Sequence, residues 1–132
     1  MSTRNLLALP ASLLVAALLG GCGQAGGQAA PLSQEVTIKT SEWKFDPGSF
    51  RVEAGKPNTI VLRNAGLIEH DLAIQVPSAN GNDVRIAAGP GQSASTSFMP
   101  EKPGIYQFVC TLPGHKEAGM VGKVEVVAAS AR

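Results

Sequence analysis

The chain has 132 residues, two cysteines, two histidines and a formal charge of +1, with 44% hydrophobic side chains. That length suits a single domain with a core of its own. A charge this close to neutral argues against a nucleic-acid surface and against a polybasic patch for anionic lipid.

At the amino terminus Arg4 precedes an apolar run from Leu6 to Leu19, broken only by Pro10 and Ser12, which is the pattern of an export signal. A retained transmembrane anchor is the alternative, but a bilayer needs about 20 apolar residues, and here small residues follow a shorter run at once. The run ends Leu19-Gly20-Gly21-Cys22, which resembles the lipobox of bacterial lipoproteins. The resemblance implies cleavage before Cys22, acylation of that cysteine, and a protein held on a bacterial membrane facing the periplasm or the cell exterior. Acyl methylenes contribute about 0.8 kcal/mol each when buried, so several chains on one residue anchor stably. The competing use of Cys22, a disulfide to Cys110, suits an exported chain but would destroy the metal site described below. Gly23-Gln24-Ala25-Gly26-Gly27-Gln28-Ala29-Ala30 has almost nothing to bury and forms a flexible tether. The expected organisation is a signal over 1–21, a tether over 22–33 and a folded domain over 34–132. Removal of Arg4 leaves ten basic and ten acidic side chains.

Beyond the tether the apolar pattern has period two, with turn residues between runs. Predicted strands are Glu35 to Thr40, Ser49 to Glu53, Thr59 to Arg63, Asp71 to Val76, Asp83 to Ala87, Ser93 to Phe98, Ile105 to Cys110 and Val121 to Val127. Ala54-Gly55-Lys56-Pro57, Pro77-Ser78-Ala79-Asn80-Gly81-Asn82, Gly89-Pro90-Gly91 and Lys102-Pro103-Gly104 supply the turns. The fold class is therefore all-β, a sandwich of about eight strands in two sheets. Between Ser41 and Gly48 the alternation runs into a Pro-Gly turn. Trp43 and Phe45 are expected to pack over one end of the core, as large aromatics in small sandwiches usually do; an electron relay is the alternative for Trp43.

Cys110-Thr111-Leu112-Pro113-Gly114-His115-Lys116-Glu117-Ala118-Gly119-Met120 places a thiolate, an imidazole and a thioether in one loop at C-x4-H-x4-M spacing. Thiolate and thioether favour Cu(I), imidazole suits both oxidation states, and two histidines with one cysteine and a weak methionine make a blue-copper set. The second histidine must be His70, the only other one in the chain. Zinc tolerates the same donors, but copper stands above it in the divalent affinity series. Four protein donors leave no open position for a substrate, and no Ser-His-Asp, paired-carboxylate or phosphate-loop pattern asks for an enzyme.

On these residues the chain resembles the cupredoxins, the small blue copper proteins. C-T-L-P-G-H is similar to azurin and auracyanin, and A-G-M-V-G-K-V-E-V to plastocyanin. Asn64-Ala65-Gly66 ahead of His70, and Tyr106-Gln107-Phe108-Val109 running into Cys110, extend the similarity from Glu35 to Val127. The resemblance implies a Greek-key sandwich and one type 1 copper ion. It also implies a trigonal set of His70, Cys110 and His115 with Met120 as the weak axial contact. His70 is expected to reach the site from a neighbouring sheet edge. The implied function is single-electron transfer between redox proteins by a monomer without catalytic turnover. The alternatives are copper delivery or storage, and a detached relative of an enzyme's electron-receiving domain.

Cupredoxins commonly carry asparagine after the first histidine, where this chain has Asp71. Its carboxylate can only accept hydrogen bonds, and the backbone or hydroxyl of Thr111 is the expected donor; a solvated strand carboxylate is the alternative, and is the expectation for Glu69. The resemblance implies that Leu67 and Ile68, with Leu112 and Pro113 around His115, form a small apolar docking face; the alternative buries Leu67 and Ile68 as a loop plug.

Overall fold

Period-two alternation resolves into nine strands in a computed structural model that describes residues 31–76 and 83–130. The signal, Cys22, the tether through residue 30, and the predicted turn Pro77-Ser78-Ala79-Asn80-Gly81-Asn82 lie outside the described residues. The strands are β1 (Glu35–Ser41), β2 (Lys44–Asp46), β3 (Ser49–Glu53), β4 (Asn58–Asn64), β5 (His70–Ile74), β6 (Val84–Ala88), β7 (Ser93–Phe98), β8 (Gly104–Val109) and β9 (Val121–Val127). One sheet has the order β2-β1-β4-β7 and the other β3-β9-β8-β5-β6. Pairs β1/β4 and β3/β9 are parallel, so the chain crosses between sheets instead of returning by hairpins alone. The strand beyond the expected eight is β2, which folds back on β1 through a two-residue connection.

Alternation sends every second side chain inward, as the β4 residues Asn58, Ile60, Leu62 and Asn64 show. Ile38, Ile60 and Leu62 from one sheet and Leu72, Ile74, Phe108 and Val124 from the other are fully buried in one core. Each such aliphatic or aromatic side chain contributes about 1.5–3 kcal/mol by leaving water. Phe108 is central: its ring lies 5.1 Å from Phe45 and 5.6 Å from Phe50 between centroids. Directly opposite it on β9 is Gly122, where a Cβ would come within 2.1 Å of the Phe108 ring. The missing side chain makes room for that ring.

The second sheet fixes the far end of the sandwich. β5 lies between β8 and β6, inside the sheet, with Ala73 opposite Val109. His70 therefore approaches from the strand next to the cysteine strand. The expected approach from a neighbouring sheet edge is corrected, because β6 occupies the outer position.

Candidate metal centre

Three adjacent strands of one sheet present the candidate ligands at one end. His70 is the first residue of β5, Cys110 follows β8 immediately, and Met120 immediately precedes β9. The intervening loop closes on itself through backbone bonds: the Met120 amide donates to the His115 carbonyl at 3.0 Å, and the Cys110 amide to the Met120 carbonyl at 3.2 Å. Gly114 and Gly119 have φ of +81° and +98°, with open space where a Cβ would stand. Backbone conformation, not crowding, requires glycine there.

The donor atoms of His70, Cys110 and His115 all lie within 4.8 Å of one another. Cys110 Sγ is 3.2 Å from His115 Nδ1, and the two imidazole centroids are 5.1 Å apart. His70, Cys110 and Met120 are 0% exposed and His115 is 7% exposed. Both ring nitrogens of His70 are buried without a hydrogen-bond partner, an omission that ordinarily costs about 1–3 kcal/mol. Burial, reinforced by the neighbouring His115, holds the His70 pKa below its ordinary value and keeps the imidazole neutral. Burial also pushes the Cys110 thiol up, so a thiolate forms there when a cation drives deprotonation. The neutral imidazole of His70, the imidazole of His115, a thiol that needs a cation and a buried thioether fit a copper ion.

Asp71 braces this set. It is 2% exposed, which removes the solvated-carboxylate alternative. Its carboxylate accepts from the Thr111 amide and the Thr111 hydroxyl, each at 2.5 Å, and from Arg85 at 3.1 Å. Burial alone would raise its pKa, but the Thr111 and Arg85 bonds outweigh that and hold it below the usual value. Residues adjacent to two ligands, His70 and Cys110, are thereby joined. Arg85 also donates to the Thr111 hydroxyl at 2.9 Å and supplies the counter-charge. Arg85 was not singled out in the sequence; it is the diagonal neighbour of Asp71 across β5/β6, visible only once the register is known. Asn64 clamps the loop ahead of His70, donating to the carbonyls of Ile68 at 2.7 Å and Ala88 at 2.9 Å and accepting from the Gly66 amide at 2.8 Å.

The β1–β2 turn departs from expectation. Phe45 enters the core, whereas Trp43 is 47% exposed and meets the His115 ring nearly at right angles, with centroids 4.9 Å apart. Glu42 and Trp43 are the two turn residues between the paired Ser41 and Lys44, and Trp43 has φ of +67°. Positive φ at the third position of a turn favours glycine or asparagine, and a bulky residue in the left-handed region costs about 1–2 kcal/mol. Glu42 accepts from the Leu67 amide at 2.6 Å, which holds its carboxyl below the ordinary range. Leu67 and Ile68 are 87% and 41% exposed, so they form no buried plug.

A two-sheet sandwich with two histidines, a cysteine and a methionine gathered at one end defines a cupredoxin with a His2CysMet type 1 copper site. The chain belongs to the plastocyanin/azurin family of copper binding proteins, which it matches over residues 32–127. It is similar to the copper-resistant cuproprotein CopI of Rubrivivax gelatinosus, with 33% identity over 118 residues, 76% of this chain and 70% of that protein. Auracyanin-A of Chloroflexus aurantiacus is 27% identical over 94% of this chain and 98% of its own. The crystal structure of dithionite-reduced auracyanin from Roseiflexus castenholzii shares the fold, with a TM-score of 0.65, 24% identity, and coverage of 74% of this chain and 99% of that one.

Proposed function

We propose that this protein is a single-electron carrier between redox proteins outside the cytoplasm, held on a bacterial membrane by acylated Cys22, and that it turns over no substrate. The observation that carries this reading is the closure of the site: no candidate donor is more than 7% exposed. Bound copper supplies the one-electron change between Cu(I) and Cu(II). His70, Cys110, His115 and Met120 would hold the ion, and the protein's part is to fix them from three neighbouring strands and the loop between two of those strands, so that little need move when the charge changes. The exposed Leu67 and Ile68 beside the His70 loop provide a small apolar face, suited to weak, quickly released encounters with partners. The Leu19-Gly20-Gly21-Cys22 pattern supports the anchor.

A second reading, copper storage or delivery, is favoured by the name of the Rubrivivax relative, a copper-resistant cuproprotein. Repeated reduction and reoxidation of the copper-loaded domain in the presence of a Cu(I) chelator separates the two. A carrier keeps its copper through many cycles, and loss of copper during the first reduced interval establishes delivery instead. Mass spectrometry of the amino terminus tests the anchor: an acylated residue 22 is expected, and an unmodified terminus elsewhere in a freely soluble protein refutes it.

A further inference from the structure

We infer that the Glu42-Trp43 turn is a latch on the metal centre: Trp43 seats against His115 and closes the side on which the donors meet water, while Glu42 ties the turn to the loop carrying His70. Among the four donor residues only His115 has any exposure, although Pro113, Gly114, Lys116 and Glu117 around it are all exposed. Its ring is kept from water between the buried His70 ring and Trp43, the exposed ring that meets it nearly at right angles. Tryptophan stands there at φ of +67°, a conformation that glycine would adopt freely. A side chain held where its own backbone resists it points to a role for that side chain.

Glu42 supplies the second tie. Its carboxylate accepts the Leu67 amide at 2.6 Å, and a Cβ on Gly66 would come within 2.6 Å of the same carboxylate, so the bare glycine lets it approach. One short turn thus bridges the two segments that carry the histidines. Copper exchange requires His115 to swing aside or be approached from outside, and both movements displace Trp43. Trp43 is accordingly a positioning residue for His115 that slows metal release, whereas the fold itself does not depend on it. The latch rests on the copper reading above.

The test compares wild type, Trp43→Gly and Glu42→Ala. Copper release from the reduced, loaded proteins to a Cu(I) chelator is timed, and urea unfolding of the metal-free proteins is measured alongside. Trp43→Gly should release copper faster, by roughly two- to tenfold for the lost aromatic contact, with metal-free stability unchanged or higher because glycine relaxes the turn. Glu42→Ala keeps the tryptophan and should also release faster. Because Trp43 is the only tryptophan, its emission should shift in that variant as the turn loosens. Release at the wild-type rate from both loaded variants overturns the latch while leaving copper binding intact. Faster release that merely tracks a fall in metal-free stability also overturns it, reducing Trp43 to packing. A wild-type protein that takes up no copper overturns the copper reading and the latch together.

Discussion

Replacing Asp71 by alanine deletes the acceptor for both Thr111 donors, each at 2.5 Å, and for Arg85 at 3.1 Å. Hydrogen bonds to a charged acceptor are worth about 1.5–3 kcal/mol each. The Arg85 side chain is 66% exposed, so its contribution is small after screening by solvent. The two Thr111 bonds then set a loss on the order of 3–5 kcal/mol, in the range for breaking a buried charged pair. In a domain of this size each kcal/mol lowers Tm by roughly 4–8 °C, giving a fall of at least about 12 °C. Asp71→Asn keeps an acceptor for the Thr111 amide but turns its own NH2 toward the Arg85 donor. It should lose less, about 1.5–3 kcal/mol for one charged bond, and Arg85→Met should recover part of that loss. Thermal unfolding of the metal-free domain reads these differences. In the copper-loaded protein Asp71→Asn should raise the reduction potential, because the lost negative charge favoured Cu(II). An alanine variant with wild-type Tm and potential would refute the brace.

Gly122→Ala should unfold the domain or repack it drastically, since the new methyl would meet Phe108 Cζ at 2.1 Å and the Gly48 carbonyl at 2.8 Å; a circular dichroism melt matching wild type would show that Phe108 has room to move. Met120→Leu should keep the visible colour and raise the potential, because removing a weak donor destabilises Cu(II) more than Cu(I); voltammetry giving an unchanged value would take Met120 out of the coordination sphere. Lowered carboxyl pKa values stabilise fully above the ordinary value and lose their effect as pH falls through the folded one. Asp71, held below its ordinary 3.8, should therefore make the metal-free domain lose stability beneath about pH 4. Urea titrations across that window should show a flatter fall in Asp71→Ala, and parallel slopes would assign the loss elsewhere.

The donors were legible because few side chains share their chemistry, and two histidines and a loop cysteine leave little choice of partners. Strands β3, β7 and β9 follow the predicted Ser49 to Glu53, Ser93 to Phe98 and Val121 to Val127, where alternation continues for five residues or more. β2 was not legible, since three residues cannot display a period. The position of Trp43 was hidden for a related reason: its turn carries neither glycine nor asparagine, and the pairing of Ser41 with Lys44 forces the reversal. Arg85 alternates outward on β6 like any solvated cation. Only the register with β5 brings it to Asp71, fourteen residues away in sequence.

The presence of a type 1 copper site centred on the Cys110 thiolate is tested most directly by one absorption measurement on the copper-loaded domain, before and after ascorbate, with Cys110→Ser alongside. The wild type should show an intense visible thiolate-to-Cu(II) band that bleaches on reduction and returns on reoxidation, and the serine variant should fold but remain colourless. A colourless wild type, or a serine variant with the same band, would contradict it.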